Sequence, residues 1–531
     1  MSRKHWYRCG TGAQGCPHAE SGKPFAIEED DFPAWSCPHS KFCKENLQPV
    51  SWADRNRGII RALIVVIVLA LLGGIAILLK HQVTAKPGVI KENGPSKQRH
   101  LTDVRNLPVS LRISSAPGLG KALIAPLVES YIIRIKNTSP QVEWIDDKAH
   151  IHWEQGTHCQ QITVTELTDE QGFKALLAKD STAGSDIHIA YRQPTPAELD
   201  ALSSLGDLTS SECAQVIALD AVAVLVNSRN PVSTISDKSL DSLVTGKASN
   251  WIGVGGSNMP VTLYAPNPSG REAVVEQVFG DLLKTVTAKR VEASATVESK
   301  IGETEGSLGL AAFSTCSPRS KVLTIQAEEH TRQLKPSPFT IATEDYKYSV
   351  RIIAYHAKRP VAEVAPFIKY VTSKEGQAAV SRLGFVDQNI RAAMDKNDEI
   401  IAAALAEAVR PHKLVSAERL STNLRFEVGK SDLDLKARAD VSRVVERLAD
   451  PDLRERRLAI LGFADIKGND AINFPLSEDR AKRVAQEFKQ RGVFPKVILG
   501  LGSRLPVDSN DTEQGRQRNR RVELWVLQIS K

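Results

Sequence analysis

The sequence lacks the common catalytic signatures. Its 531 residues contain no P-loop, HExxH helix, nucleophile elbow or DxxD-type constellation, and no Ser, His and acid assign themselves as a triad. The chain is therefore read as a binding protein and not as an enzyme. No run of Lys and Arg is interleaved with aromatics, and a net charge of +7 over this length is mild, which argues against nucleic acid as a partner. Internal repeats and low-complexity tracts are absent too. The length allows two to four domains.

Long apolar runs are also scarce, with one exception. Gly58–Lys80 reads GIIRALIVVIVLALLGGIAILLK, and its uncharged stretch from Ala62 to Leu79 is about the minimum that spans hydrocarbon as a helix. The run lies too far from the start for a standard cleaved signal peptide, and no small-residue cleavage pattern follows it. It is apolar all round, so a single transmembrane helix over 58–80 is expected rather than a core helix. Residues 81–106 turn to Lys, Pro, Gly, Ser and Asn without periodicity, as a linker does.

The most informative stretch lies in the last hundred residues. It comprises GFAD ending at Asp465, NFPLSEDRAKRV from Asn473 to Val484, and QRNRRVELWV from Gln517 to Val526. Ser477 reads as an N-cap, with Leu476, Ala481, Val484, Ala485 and Phe488 as an apolar helical stripe ended by Gly492. Arg480 then falls in the first turn, where the helix end favours an anion and a planar guanidinium can hold a carboxylate twice. Asp465 follows a strand, so the two offer a carboxylate and a guanidinium to one small zwitterion. Read from the residues alone, they could equally form a surface ion pair.

These motifs resemble the OmpA C-terminal domain shared by OmpA, Pal and MotB, over about 421–531 and with domain limits 416–531. Asp465, Asn473, Leu476, Ser477, Arg480, Ala481 and Asn519 through Glu523 fall in register, with Ala464 where the family has Thr. The resemblance implies an α+β domain that grips the carboxylate and amine of diaminopimelate in peptidoglycan. Asp465 and Arg480 would be the charged pair, and Asn473, Leu476 and Arg521 would complete the site. Of the neighbours Arg520 and Arg521, one must face inward, as a structural ion pair or a ligand contact.

Between linker and C-terminal domain, strand and helix signals alternate, which predicts α/β units on a mostly parallel sheet. Two loops open helices where anions gather: Ser115 to Gly120, within SSAPGLG, and NPSGREA around Ser269, Gly270 and Arg271. DIHIAYR, ALDAVAVLVNSRNPVS, LVTGKASNWIGVGG and TSKEGQAAVSRLGFV together resemble the periplasmic phosphate-binding subunit of ABC importers. That resemblance implies a two-lobed Venus-flytrap domain over 107–388. It also implies an oxyanion such as phosphate held by Ser115, Gly118, Arg192, Ser269, Gly270 and Arg271, with an ABC permease as the partner of a transport role. Tyr346 and Arg351 loosely match the family's return crossing between lobes. Three departures from the family weaken phosphate selectivity: Ala265 where an Arg is common, Arg271 where the loop has Thr, and Arg192 where some members have Asp. Residues 389–415, with Ile400, Ala403, Leu405 and Val409, read as a helical connector.

The first fifty residues hold four of the seven cysteines, Cys9, Cys16, Cys37 and Cys43, and CPH occurs twice. If this head is cytosolic, four thiolates suit one structural zinc, with His18 or His39 as substitutes. An unmetallated tail or disulfides are the other readings. Counting the charges that flank the apolar run gives a tie, but Arg55, Arg57 and Arg61 crowd its N-terminal edge and favour that side inside, and a wall-binding domain has its ligand outside the cytoplasmic membrane. The expected whole is a single-pass inner-membrane protein with a cytoplasmic N-terminus and most of the chain periplasmic. It would be a multidomain α/β receptor or sensor that binds peptidoglycan and an oxyanion, or alternatively a membrane-to-wall tether whose middle domain binds nothing. Cys159, Cys213 and Cys316 allow at most one internal disulfide.

Overall fold

Strand and helix in this chain follow the burial pattern of the side chains, as seen in a computed structural model. It describes Lys4–Cys9, Phe25–Glu28, Leu47–Pro49 and residues 103–530 apart from 157, 179–182, 269, 285–287, 395–398, 427–431 and 466–468. Two units divide at Arg99 and His100. In the first, strands β1 (Lys4–Cys9), β2 (Phe25–Glu28) and β3 (Leu47–Pro49) form an antiparallel sheet in the order β2-β1-β3. Cys9 ends β1, whereas Cys16, Cys37 and Cys43, the expected membrane span and nearly all of the linker lie outside the described residues. Among the described residues no helix is long and apolar enough to cross a membrane.

The second unit begins with β4 (Val109–Ser115), followed by a helical run from Gly120 to Lys136 centred on α1 (Ala125–Tyr131). Then come β5 (Gln141–Ile145), β6 (Lys148–Gln155), β7 (His158–Glu166), α2 (Asp169–Leu177), β8 (Ile187–Ala190), α3 (Pro196–Ala201) and β9 (Ala214–Val226). After β9 the chain forms β10 (Thr234–Ser236), α4 (Asp237–Val244), β11 (Thr262–Pro266), α5 (Ala273–Leu283), β12 (Lys289–Val291), α6 (Ser294–Glu303) and β13 (Ser307–Ala312). The return half contains β14 (Lys321–Val322), β15 (Thr324–Gln326), α7 (Pro338–Ala342), β16 (Ser349–His356), α8 (Val364–Thr372) and α9 (Lys374–Arg382).

The β9 sequence AQVIALDAVAVLV is apolar on both faces and almost wholly buried, as a central strand must be. Its first part pairs with β16 and its last part with β13, so it passes from one half of the sheet to the other. The β16 strand returns to pair with β8. Two lobes joined by two antiparallel crossings result, on the path β12-β11-β13-β9-β16-β8-β4-β7-β6-β5. The expectation of a mostly parallel sheet is corrected here. Within this sheet the parallel pairs are those of β7-β4-β8 and β12-β11-β13, because the crossings and the β5-β6-β7 meander must run antiparallel.

The last domain comprises β17 (Ala392–Ala393), α10 (Glu399–Ala408), β18 (Leu414–Arg425), α11 (Leu435–Leu448), β19 (Arg457–Gly462), α12 (Asp470–Gln490), β20 (Val497–Gly500), α13 (Glu513–Asn519) and β21 (Arg521–Ile529). Its sheet order is β17-β18-β21-β19-β20. Val441, Val444, Val484 and Phe488 from α11 and α12 cover one face with Leu420, Leu424 and Leu524. On the other, Ile401, Leu405 and Val409 pack with Leu461, Phe463 and Trp525. The connector expected over 389–415 is therefore a layer of this domain and not a spacer, and Ile400 points outward, 48% exposed.

The two domains of this unit meet through buried charge. Arg332 pairs with Glu523 at 3.1 Å, Arg419 with Asp345 at 2.7 Å, Arg425 with Glu344 at 3.0 Å and Arg351 with Asp434 at 2.8 Å. Leu435 of α11 packs in one cluster with Phe173 and Tyr355, so the contact is apolar as well as ionic. Cys159, Cys213 and Cys316 are all free thiols.

Candidate functional site

Close packing of α12 on the end of β19 builds the C-terminal site. A Cβ on Gly462 would fall 1.9 Å from the Ser477 carbonyl oxygen, so only glycine lets strand and helix approach this far. The chain leaves β19 through Phe463 and Ala464, whose amides donate to the carbonyls of Arg521 (2.9 Å) and Gly502 (2.8 Å), and delivers Asp465 beside the helix. Arg480 Nη1 donates to the Phe463 carbonyl at 3.3 Å. Burial, and then the neighbouring Arg520, pull the Arg480 guanidinium down while Asp465 pushes it back up. Arg480 and Asp465 are thus in one electrostatic cluster, as their spacing in the sequence suggests.

Two expectations at this site are corrected. The helix starts at Asp470 under an Asn469 cap that accepts from Ile472 N, so Ser477 is not the N-cap. Its buried hydroxyl donates to the Phe474 carbonyl at 2.8 Å and accepts from Gly502 N at 2.9 Å. Arg480 consequently lies in mid-helix and gains nothing from the helix end. The second correction concerns the adjacent arginines. Arg521 is fully buried, its guanidinium lying 3.9 Å from the Phe463 ring centroid and bonded to Glu523 and the Leu505 carbonyl. Such a group cannot reach a wall ligand. Arg520 takes the outward place, with Nη1 2.7 Å from Asp465 and Nη2 2.5 Å from Glu513.

Asn473 is buried on the first turns of α12. Ile472 and Leu476 precede Arg480 at four-residue spacing, so the three share one helix face. Exposures of 57% and 40% make the two aliphatics an apolar strip leading to the charges. Chemically, the arrangement offers one carboxylate for an ammonium, two guanidiniums for carboxylates and an aliphatic strip for a methylene chain. Sequence reasoning set Arg520 aside, and the Glu513 partner is visible only once α13 folds back on Asp465.

The anion ligands expected in the middle domain are engaged by the chain itself. Gly118 N and Lys121 N donate to the Glu166 carboxylate at 2.9 and 3.1 Å. Arg192 grips Glu198 with both terminal nitrogens, at 2.6 and 2.8 Å, and lies 3.5 Å from Asp169. Arg271 donates to the carbonyls of Leu383 (2.6 Å) and Ala122 (3.3 Å), bridging the two lobes. Gly270 faces Gly118 so closely that a Cβ on Gly118 would lie 1.6 Å from its carbonyl oxygen. Ser115 is buried and its hydroxyl has no hydrogen-bond partner; Ser269 lies outside the described residues. An open cradle of free donors is not what these residues form. Sequence reasoning also missed two buried acids. Asp220, inside the apolar β9, accepts from Ser314, and burial pushes it up to about 7; Glu272 accepts from Ser294 N at 3.1 Å. A lone Asp in an otherwise apolar strand was the available signal. Tyr346 and Arg351 do sit at the return crossing, Tyr346 donating to the Val222 carbonyl at 2.9 Å and Arg351 pairing with Glu344 and Asp434.

Residues 425–520 match the OmpA family and residues 114–375 match a PBP superfamily domain. The chain joins these two domains. Among curated relatives, the peptidoglycan-binding protein ArfA of Mycobacterium tuberculosis (strain ATCC 25618 / H37Rv) is 46% identical over 89 residues, 16% of this chain and 26% of ArfA. The phosphate-binding protein PstS of Bacillus subtilis (strain 168) is 27% identical over 165 residues, 31% of this chain and 53% of PstS. The chain thus spans about a quarter of the one and about half of the other. Among solved structures, an ABC-type phosphate transport receptor from Vibrio cholerae matches with a TM-score of 0.40 at 17% identity, covering 52% of this chain and 98% of the receptor.

Proposed function

We propose that the protein is a non-enzymatic cell-envelope tether that grips diaminopimelate-type peptidoglycan through its OmpA domain and carries a PBP-like domain as a docked scaffold. Residues 58–80 anchor it in the inner membrane with the N-terminus in the cytoplasm and the remainder in the periplasm. The observation that carries the wall-binding role is the cluster of Asp465, Arg480 and Arg520 on the domain that matches the OmpA family. Asp465 takes the ammonium of the zwitterion and Arg480 its carboxylate. Arg520 holds Asp465 in place and yields part of it when the ammonium arrives.

The scaffold role, rather than a phosphate receptor coupled to a permease, is supported by the engagement of Gly118, Arg192 and Arg271 with groups of the chain. Two measurements test the reading. In a sedimentation assay with purified peptidoglycan, the full chain is retained, while Asp465→Ala and Arg480→Ala lose most of the retention and Arg520→Ala loses less. Equal retention of all four would defeat the assigned roles. Isothermal titration of the full chain with phosphate and other oxyanions should be silent, and a saturable heat would restore the receptor.

A further inference from the structure

We propose that Glu166 is a built-in ligand of the PBP-like domain. Its carboxylate takes the place of a solute oxyanion at the first loop, so the lobes close without a solute and a tetrahedral oxyanion binds only once Glu166 is removed. The inference rests on the scaffold reading above and gives it a cause.

The placement follows from register. The β7 strand runs parallel to β4, and Glu166 is the register partner of Ser115, so both strands deliver their last residues to the same loop. There Glu166 Oε2 accepts from Gly118 N at 2.9 Å and Oε1 from Lys121 N at 3.1 Å. Both amides flank the start of a helical run, where N–H groups lack helical partners and favour a negative charge. The carboxylate also fills the volume: a Cβ on Gly120 would lie 2.7 Å from Glu166 Cγ and Oε1. A second anion here would meet an anion already seated.

The surroundings favour the same reading. The hydroxyl of buried Tyr191 is raised first by burial and then by the charges of Asp220, Asp169 and Glu272, with Arg271 opposing them. The acids nearest this hydroxyl thus disfavour a further negative charge there. Closure is already complete, since the Gly118 and Gly270 backbones touch and Arg271 spans from lobe to lobe. Two buried hydroxyls, those of Ser115 and Tyr191, have no hydrogen-bond partner. Ser115 is the register partner of Glu166, so its hydroxyl would serve an oxyanion seated in place of that carboxylate.

Equilibrium dialysis of the full chain with radiolabelled inorganic phosphate, with sulfate as competitor, tests this directly. Wild type should show no saturable binding up to about 1 mM, and Glu166→Ala should gain about 100-fold or more in affinity. The isosteric Glu166→Gln, which keeps the shape and loses the charge, should fall between them and carries the test if the Ala variant fails to fold. Saturable binding by wild type overturns the proposal. So does a folded variant, judged by circular dichroism, that binds no better than wild type. Saturable binding by wild type overturns the scaffold reading together with the proposal, whereas a silent wild type beside a folded and equally silent variant overturns the proposal alone.

Discussion

Asp345→Ala removes one carboxylate from the junction between the PBP-like and OmpA domains, and the geometry sets the size of the effect. Asp345 is 1% exposed. It accepts from Arg419 at 2.7 Å and from Asn423 at 2.6 Å, and it lies 3.9 Å from Arg425. Its two cationic neighbours are 2% and 5% exposed, so neither can turn to water without opening the interface. Five guanidiniums (Arg332, Arg351, Arg419, Arg425 and Arg521) face four carboxylates (Glu344, Asp345, Asp434 and Glu523). Removing Asp345 takes the formal charge of this cluster from +1 to +2. Breaking one partner out of a buried pair costs about 3–5 kcal/mol. Because Arg419 keeps Glu523 at 3.2 Å, the lower end of that range, about 3 kcal/mol, is expected. Urea unfolding of the full chain, followed by tryptophan fluorescence with Trp525→Phe as the control that isolates the signal of the last domain, reads it. Wild type should lose both domains together, and Asp345→Ala should release the OmpA domain earlier. Arg419→Ala and the double variant close a cycle whose coupling should exceed about 1.5 kcal/mol. A loss under about 1 kcal/mol with no coupling would show that the two domains are not held by this cluster.

Two further predictions concern the PBP-like domain. Burial raises Asp220 to about 7, so between roughly pH 4 and 7 the folded chain holds a proton that the unfolded chain releases, and stability falls as pH rises through that window. Melting temperatures measured from pH 5 to 8 should decline in wild type and flatten in Asp220→Asn; parallel curves would contradict the assignment. Gly118→Ala places a Cβ 1.6 Å from the Gly270 carbonyl oxygen at a φ of +84, and should part the lobes or cost about 2 kcal/mol or more. Small-angle scattering and melting both report it, and an unchanged protein in both would disprove the lobe contact.

Much of the architecture was readable from local pattern, and what was not depended on partners distant in the chain. VSLRISS, DIHIAYR and VIALDAVAVLVN became β4, β8 and β9, because short segments rich in Val and Ile, alternating or continuous in their apolar residues, leave few alternatives. The mixed character of the sheet was not readable, since strand direction is fixed by which strands the crossings reach. At Ser477 the local signal was good, but Asn469 followed by Asp470 supplied an earlier cap, and helix α12 ran through Pro475 to its end. The choice between Arg520 and Arg521 turned on which side of β21 meets the PBP-like domain, a tertiary fact. Glu166 carried no signal at all: it closes ITVTE as any strand-end residue would, and becomes informative only when β4 sets two bare amides beside it.

Adjacent residues of the OmpA motif thus serve different neighbours. Arg520 holds Asp465 at the wall site, while Arg521 is locked with Glu523 into the junction. Helix α13 repeats the division. Its Glu513 pairs with Arg520, and its Arg518 donates to Asp508 and to the Lys347 carbonyl of the PBP-like domain. A signal passing between the domains would need an element with two arrangements that both sites bias. The junction offers the opposite. Glu344, Asp345 and Glu523 are buried, which alone would raise them, yet the arginines around them hold all three below the ordinary carboxylate range. These acids stay ionised at neutral pH and keep their pairs, so no proton is exchanged there that could loosen the contact. The lobes are likewise shut by the chain's own groups. On the function proposed above, a closed domain bolted to a wall clamp would pass position and load to the wall, which is the work of a tether.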